Sequence, residues 1–155
     1  MMVSVAILAV ITAGLWRMTR GGALSFLRAQ RQASVISSGE RALRGYGPHR
    51  GILKNIRRCS AATAVQADHL RLACPDGAVE YYRQGNALLE VSAGSTSTVA
   101  GNITALSFKY YKIQNGLVSL TTAPALTAAI EISGMQAVNR DISYDLVSSA
   151  RLRNR

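Results

Sequence analysis

Hydrophobic residues follow three different patterns along this chain. Residues 1–16 are unbroken by any charge, and the first charged side chain is Arg17. From Leu24 to Leu43 apolar residues return at helical spacing among arginines, which predicts an amphipathic helix. After Cys59 the period changes to two, which predicts strands. The pattern therefore predicts a long helix followed by a β-rich part.

The helical part should be a single element. Residues 3–43 contain no proline, and the breaker cluster Gly45-Tyr46-Gly47-Pro48 should end the helix. Gly21-Gly22 is its weak point, because each glycine costs roughly 1 kcal/mol relative to alanine in a helix. We expect an apolar part over residues 1–16 and an amphipathic part over residues 23–45.

The β-rich part contains strong turn signals. Gln84-Gly85-Asn86 and Asn115-Gly116 each separate two alternating segments, which predicts two hairpins. The Ser- and Thr-rich segment Gly94–Gly101 is predicted to be a loop. Short turns between about six or seven strands favour antiparallel pairing. The predicted fold class is α+β: a helical stem (domain 1–45) packed on a mainly antiparallel β-sheet head (domain 46–155).

The positive charge of the chain is concentrated in the stem. The net charge is +10, and residues 17–58 carry ten basic side chains against one acid, Glu40. Residues 59–155 carry eight basic and seven acidic side chains, so the β-rich part after Cys59 is nearly neutral. Nucleic-acid binding needs a basic face on the binding domain, so this charge distribution argues against nucleic-acid binding by the β-rich part as a whole. A basic stem suits acidic lipid headgroups.

No catalytic pattern is present in the sequence. There is no G-x-S-x-G motif and no glycine-rich phosphate loop, and His49 and His69 are not spaced to support a nucleophile. We therefore expect no enzyme, no cofactor and no metal site. Cys59 and Cys74 do not form a C-x-x-C pair. Outside the cytoplasm they could form a disulfide worth about 3 kcal/mol; otherwise they are two buried thiols.

The apolar front end fits none of the usual roles completely. It is short of the roughly 20 residues of a spanning helix, and no basic region precedes it as in a signal peptide. A buried core helix is disfavoured because the segment has no polar side. Arg17 and Arg20 follow the apolar run, which conflicts with the positive-inside rule for an exported head. A basic leader upstream would remove the conflict, and we expect one.

Four segments resemble one family in the order in which they occur. Met1–Leu15 resembles the apolar helix of type IV pilins and type II secretion pseudopilins. Ala78–Glu90 and Asn102–Tyr111 are similar to the sheet of minor pilins and pseudopilins, and Val147–Asn154 to the last strand of J-type minor pseudopilins and W-type minor pilins. The family's cleavage glycine, methylated residue and glutamate have no counterpart here, so those roles are not assigned.

The resemblance implies a pilin-like fold and a structural role. Prepilin peptidase would remove a leader, and the protein would cross the bacterial inner membrane once with its head in the periplasm. An inner-membrane assembly platform would then transfer it into a pseudopilus or pilus beside other pilin subunits. Residues 1–16 would lie in lipid and later in the fibre core. The residues expected to pack there are Val3, Val5, Ala6, Ile7, Leu8, Ala9, Val10, Ile11 and Leu15.

Two other functions remain open at this point. The first is a DNA-binding competence or uptake pilin that uses basic residues such as Arg57 and Arg58. The second is a membrane-anchored periplasmic β domain without fibre partners. The pairs Tyr81-Tyr82 and Tyr110-Tyr111 could stack on bases, but alternate strand positions point to opposite faces, so core packing is the stronger expectation.

Overall fold

The structure is a computed structural model that describes residues 2–45, 51–138 and 143–153, with side chains from residue 11 onward. Helix α1 spans Met2–Arg44 and helix α2 spans Ile52–Arg58. The chain forms two compact units, Met1–Ser34 and Val35–Arg155. The predicted stem helix is thus present and continuous through Gly21-Gly22, and its last turns belong to the second unit.

Nine strands build two antiparallel sheets in the second unit. The first sheet has the order β1 (Ala61–Val65), β2 (His69–Cys74), β3 (Gly77–Gln84), β4 (Ala87–Ser92) and β5 (Ser95–Ala100). The second has the order β7 (Leu117–Leu120), β6 (Ile103–Gln114), β8 (Ala129–Ala137) and β9 (Ser143–Arg151). A short 3₁₀ turn, Pro124–Leu126, lies between β7 and β8.

The prediction that the head contains a single β-sheet, as in a pilin-like fold, is therefore wrong, although the α+β class holds. The predicted loop Gly94–Gly101 contains β5, whose polar residues are mostly exposed because β5 is an edge strand. Composition alone makes such a strand resemble a loop. The chain leaves the first sheet through Gly101 and Asn102, whose φ is 60°, and β6 then begins the second sheet.

The predicted packing of the amphipathic stem was also too extensive. All side chains from Ile11 to Ser34 are exposed, and Leu24 and Leu27 keep 49% of their surface. Burial starts in the last turns of α1, where Ala42 is 2% exposed. Periodicity shows that a helix has an apolar side, but it does not show which part of that side its own domain covers.

Both predicted hairpins are present, the first with a turn one residue shorter than predicted. Gln84 pairs with Ala87 across Gly85-Asn86, and Gln114 pairs with Leu117 across Asn115-Gly116. Asn115 and Gly116 have φ values of 52° and 78°. Two consecutive positive φ values are the requirement of a type I′ turn, which Asn-Gly meets at low cost.

Helix α2 is held against the first sheet in three ways. Ile52 and Ile56 are fully buried in the core. Cys59, directly after α2, is joined by a disulfide to Cys74 at the end of β2. The buried Asn55 side chain donates a hydrogen bond to the Tyr81 hydroxyl on β3, at 2.5 Å. The core thus fixes α2 and the end of α1 next to each other in one unit.

Candidate interaction surface

Residues 11–34 of α1 form a helical segment that contributes no side chain to the core of the described residues. Every side chain in this range is exposed. Its large apolar members keep between 49% and 79% of their surface: Ile11, Leu15, Trp16, Met18, Leu24, Phe26 and Leu27. Contiguous exposed apolar surface of this kind marks a site of contact with protein or membrane.

Most of these apolar residues belong to one face, which we call the apolar stripe. Its members follow one another in steps of three or four residues: Ile11, Leu15, Met18, Gly22, Phe26, Ala29 and Ala33. At about 100° per residue they fall within an arc of roughly 80°. The small residues in the stripe would allow the backbone of another helix to come close.

A second face, roughly opposite the first, carries charges of positive sign only, with Leu24 among them. The arginine stripe consists of Arg17, Arg20, Arg28 and Arg31, which also share an arc of about 80°. No acidic residue precedes Glu40 in the chain. The segment is therefore amphipathic in an unusual way, with uncompensated cations on one side and apolar residues on the other.

Two hydroxyl groups on this segment, those of Thr19 and Ser25, donate hydrogen bonds within the helix itself. Thr19 donates to the Leu15 carbonyl at 2.9 Å, and Ser25 donates to the carbonyls of Gly21 and Gly22 at 3.0 and 2.9 Å. Such bonds let Ser and Thr enter an apolar environment without leaving a donor unpaired. The two Ser25 bonds are made to Gly21-Gly22, the glycine pair that the sequence identifies as the weak point of the helix.

Of the residues predicted to pack in lipid and in the fibre core, only two have described side chains, because these begin at residue 11. Ile11 and Leu15 lie on the apolar stripe and are 54% and 59% exposed. The side chains of the others lie outside the described residues: Val3, Val5, Ala6, Ile7, Leu8, Ala9 and Val10. Among the helices of the described part, none is both long enough and apolar enough to cross a membrane.

A second exposed apolar patch was not anticipated from the sequence. The edge strand β7 exposes Leu117, Val118 and Leu120 at 75%, 64% and 65%. The sequence signal predicts a strand here because Asn115-Gly116 precedes it. An apolar strand of this length is usually taken as buried, so its position at the edge of a sheet could not be read from the pattern.

The tyrosines that could have served as a base-stacking platform are parts of the head's framework. Tyr81 and Tyr110 are buried in the core, at 0% and 3% exposure. Burial, and then the negative charge of Glu90, raises the pKa of Tyr81. Tyr111 donates a hydrogen bond to Glu131 at 3.0 Å, and that bond raises its pKa.

Within the described ranges, no group of three or more His, Cys, Asp or Glu side chains is placed to hold a metal ion. His69 instead contacts Glu80 across β2 and β3, with 3.3 Å between Nε2 and Oε2. Comparisons with protein-family models, curated proteins and solved structures find no match to this chain. The function therefore has to be argued from the surfaces above.

Proposed function

We propose that this chain is a minor subunit of a bacterial type II secretion pseudopilus or type IV pilus. Residues 1–16 anchor it in the inner membrane, with the head in the periplasm. The apolar stripe then packs against helices of neighbouring subunits as the fibre forms. Prepilin peptidase and an inner-membrane assembly platform are the partners that act on it, and the protein itself performs no catalysis.

One observation carries the proposal: α1 is 43 residues long, and its residues 11–34 expose an apolar stripe and an arginine stripe together. Removing the exposed surface of Ile11, Leu15, Met18 and Phe26 from water is worth roughly 1–2 kcal/mol for each side chain. Either lipid or the apolar side of another helix can bury this surface. A helix that moves from one to the other keeps its apolar surface out of water throughout.

The arginine stripe lies on the opposite side of the helix, so its charges stay out of the apolar contact. Arg17 and Arg20 follow the apolar front end directly, at the level where lipid headgroups would lie. Lipid phosphate oxygens at that level can accept hydrogen bonds from both guanidinium groups. In a fibre the stripe would instead meet solvent or carboxylates of other subunits.

A pair of matched substitutions tests the proposal. Phe26 lies on the apolar stripe, whereas Leu24 lies between the arginines, and both are exposed. We expect Phe26→Asp to reduce incorporation into sheared fibres at least about tenfold, which corresponds to 1.4 kcal/mol of lost packing. Leu24→Asp should incorporate nearly as the unsubstituted chain does. The measurement is an immunoblot of the sheared-fibre and membrane fractions of the native cells.

Two results would count against the proposal. Normal incorporation of Phe26→Asp would show that the stripe is not an assembly surface. An unsubstituted chain that stays in the membrane fraction, and that crosslinks to no other subunit, would instead favour a membrane-anchored β domain without fibre partners. Equal loss with both substitutions would point to general damage to the helix.

A further inference from the structure

The head carries a second surface with a chemistry different from that of the helix. A cavity of about 490 Å³ is lined by Arg44, Lys54 and Arg57 together with Leu53 and Ser148. A second cavity, of about 660 Å³, shares Lys54 and Arg57 and is otherwise lined by Arg58 and Arg153. The end of α1, helix α2, strand β9 and the residues after β9 thus bring five cations together. We call this the basic cleft.

The charge of the basic cleft is mostly uncompensated. Arg58 forms an ion pair with Asp76. Among the described residues, no ion pair joins Arg44, Lys54, Arg57 or Arg153 to a carboxylate. Arg44, Lys54, Arg57 and Arg153 are also exposed. Like charges held this close repel one another, so a bound anion would relieve the repulsion.

The extent of the cleft favours an extended anionic segment over a single small anion. Two cavities that share two cations offer several charges in succession, with Leu53 as an apolar contact and Ser148 as a hydroxyl donor. A second copy of this chain is a poor occupant. Its sequence contains eight acidic residues, and no two of them are adjacent.

The lining also argues against nucleic acid. Single strands are usually held by aromatic side chains on which bases stack, and none of the described residues that line either cavity is aromatic. Carboxylates on a flexible segment, by contrast, can enter concave sites and pair with arginine through two parallel hydrogen bonds. Leu53 would then contact an apolar residue between the acids.

We propose that the basic cleft binds an acidic segment of another protein, rich in Asp or Glu with interspersed apolar residues. This inference does not depend on the proposed role of the helix, because the cleft lies wholly in the second unit. It gives the head a specific partner surface.

The test uses the full chain in a non-ionic detergent. The probe is a fluorescein-labelled peptide of about ten residues, mainly Glu with single Leu residues, followed by fluorescence anisotropy. We expect saturable binding that weakens as salt rises above about 0.1 M, because the Debye length is then about 10 Å or less and the charges are screened from one another. Lys54→Gln with Arg57→Gln should weaken it at least about tenfold, since both residues line both cavities.

A matched variant removes the same charge elsewhere. Arg83 on β3 and Lys112 on β6 line neither cavity. The double variant Arg83→Gln with Lys112→Gln should therefore change the affinity for the peptide less than about twofold. Equal weakening by both double variants would overturn the inference, because the attraction would then be general charge. Absence of saturable peptide binding would overturn it too. Tighter binding of an oligothymidine of similar charge at the same salt would also overturn it and assign the cleft to nucleic acid.

Discussion

Tyr110 shows how a single buried side chain makes the stability of the head depend on pH. Its hydroxyl donates to the backbone carbonyls of Gln66 and His69, at 3.0 and 3.1 Å. Burial raises the pKa of Tyr110 to about 12, and the negative charge of Asp68 adds to that rise. The folded state therefore favours the neutral phenol more strongly than the unfolded state does.

The sign of the effect follows from the raised pKa. The contribution of Tyr110 is complete below the unfolded pKa of about 10 and is lost as the pH rises toward 12. Between these limits we expect the free energy of unfolding to fall by about 1.4 kcal/mol per pH unit from this group. Denaturant unfolding at pH 9 to 11.5 measures the slope, and Tyr110→Phe should flatten it by that amount. Tyr82→Phe is the control; an unchanged slope in Tyr110→Phe would contradict the prediction.

At the scale of elements, α1 lies close against the second sheet at Gly39. A Cβ atom placed there would stand 2.5 Å from Gln136 Oε1 and 2.9 Å from Leu146 Cδ1. Gln136 cannot easily move, because its Nε2 donates to Ser38 Oγ and to the Gly101 carbonyl, both at 2.9 Å. Gly39→Val should therefore lower the free energy of unfolding of the head by about 1–3 kcal/mol.

The chain provides its own control for this substitution. Gly22→Val adds the same side chain to the same helix, at a position where nothing lies within 4 Å of the added Cβ atom. Comparing the thermal unfolding of the two variants separates the effect of close packing at Gly39 from the effect of valine on helix propensity. If both variants unfold at the same temperature as the unsubstituted chain, the approach at Gly39 does not contribute to the stability of the head.

Elements that depend on local chemistry could be predicted from the sequence, and their assembly could not. The Asn115-Gly116 hairpin follows from two residues that accept positive φ. The division into two sheets depends on whether β5 continues into β6 in one sheet, which no local pattern specifies. The basic cleft also depends on assembly that no local pattern specifies. The chain returns to α2 along β9, and only this brings together Arg44, Lys54, Arg57 and Arg153. The arginine stripe, in contrast, is a matter of spacing and was available to sequence analysis.

At the scale of the whole molecule, the two units differ in what stabilises them. Every buried apolar side chain of the described core lies between residues 42 and 152, and the disulfide closes its loop within the same range. Residues 11–34 contribute no buried side chain. A shortened chain of residues 35–155 should therefore fold without the helical segment that precedes it, with an unfolding temperature within a few degrees of that of the full chain. Circular dichroism gives this temperature for both chains.

The same comparison separates folding from association. The shortened chain lacks both stripes and should be monomeric without detergent, whereas the full chain should self-associate or require detergent, because its apolar stripe is open to water. Sedimentation velocity in the presence and absence of a non-ionic detergent distinguishes the two behaviours. A full chain that is monomeric in plain buffer would show that the apolar stripe does not drive association. The assembly role proposed for the helix would then lose its physical basis, while the basic cleft, which belongs to the head alone, would remain as a partner surface.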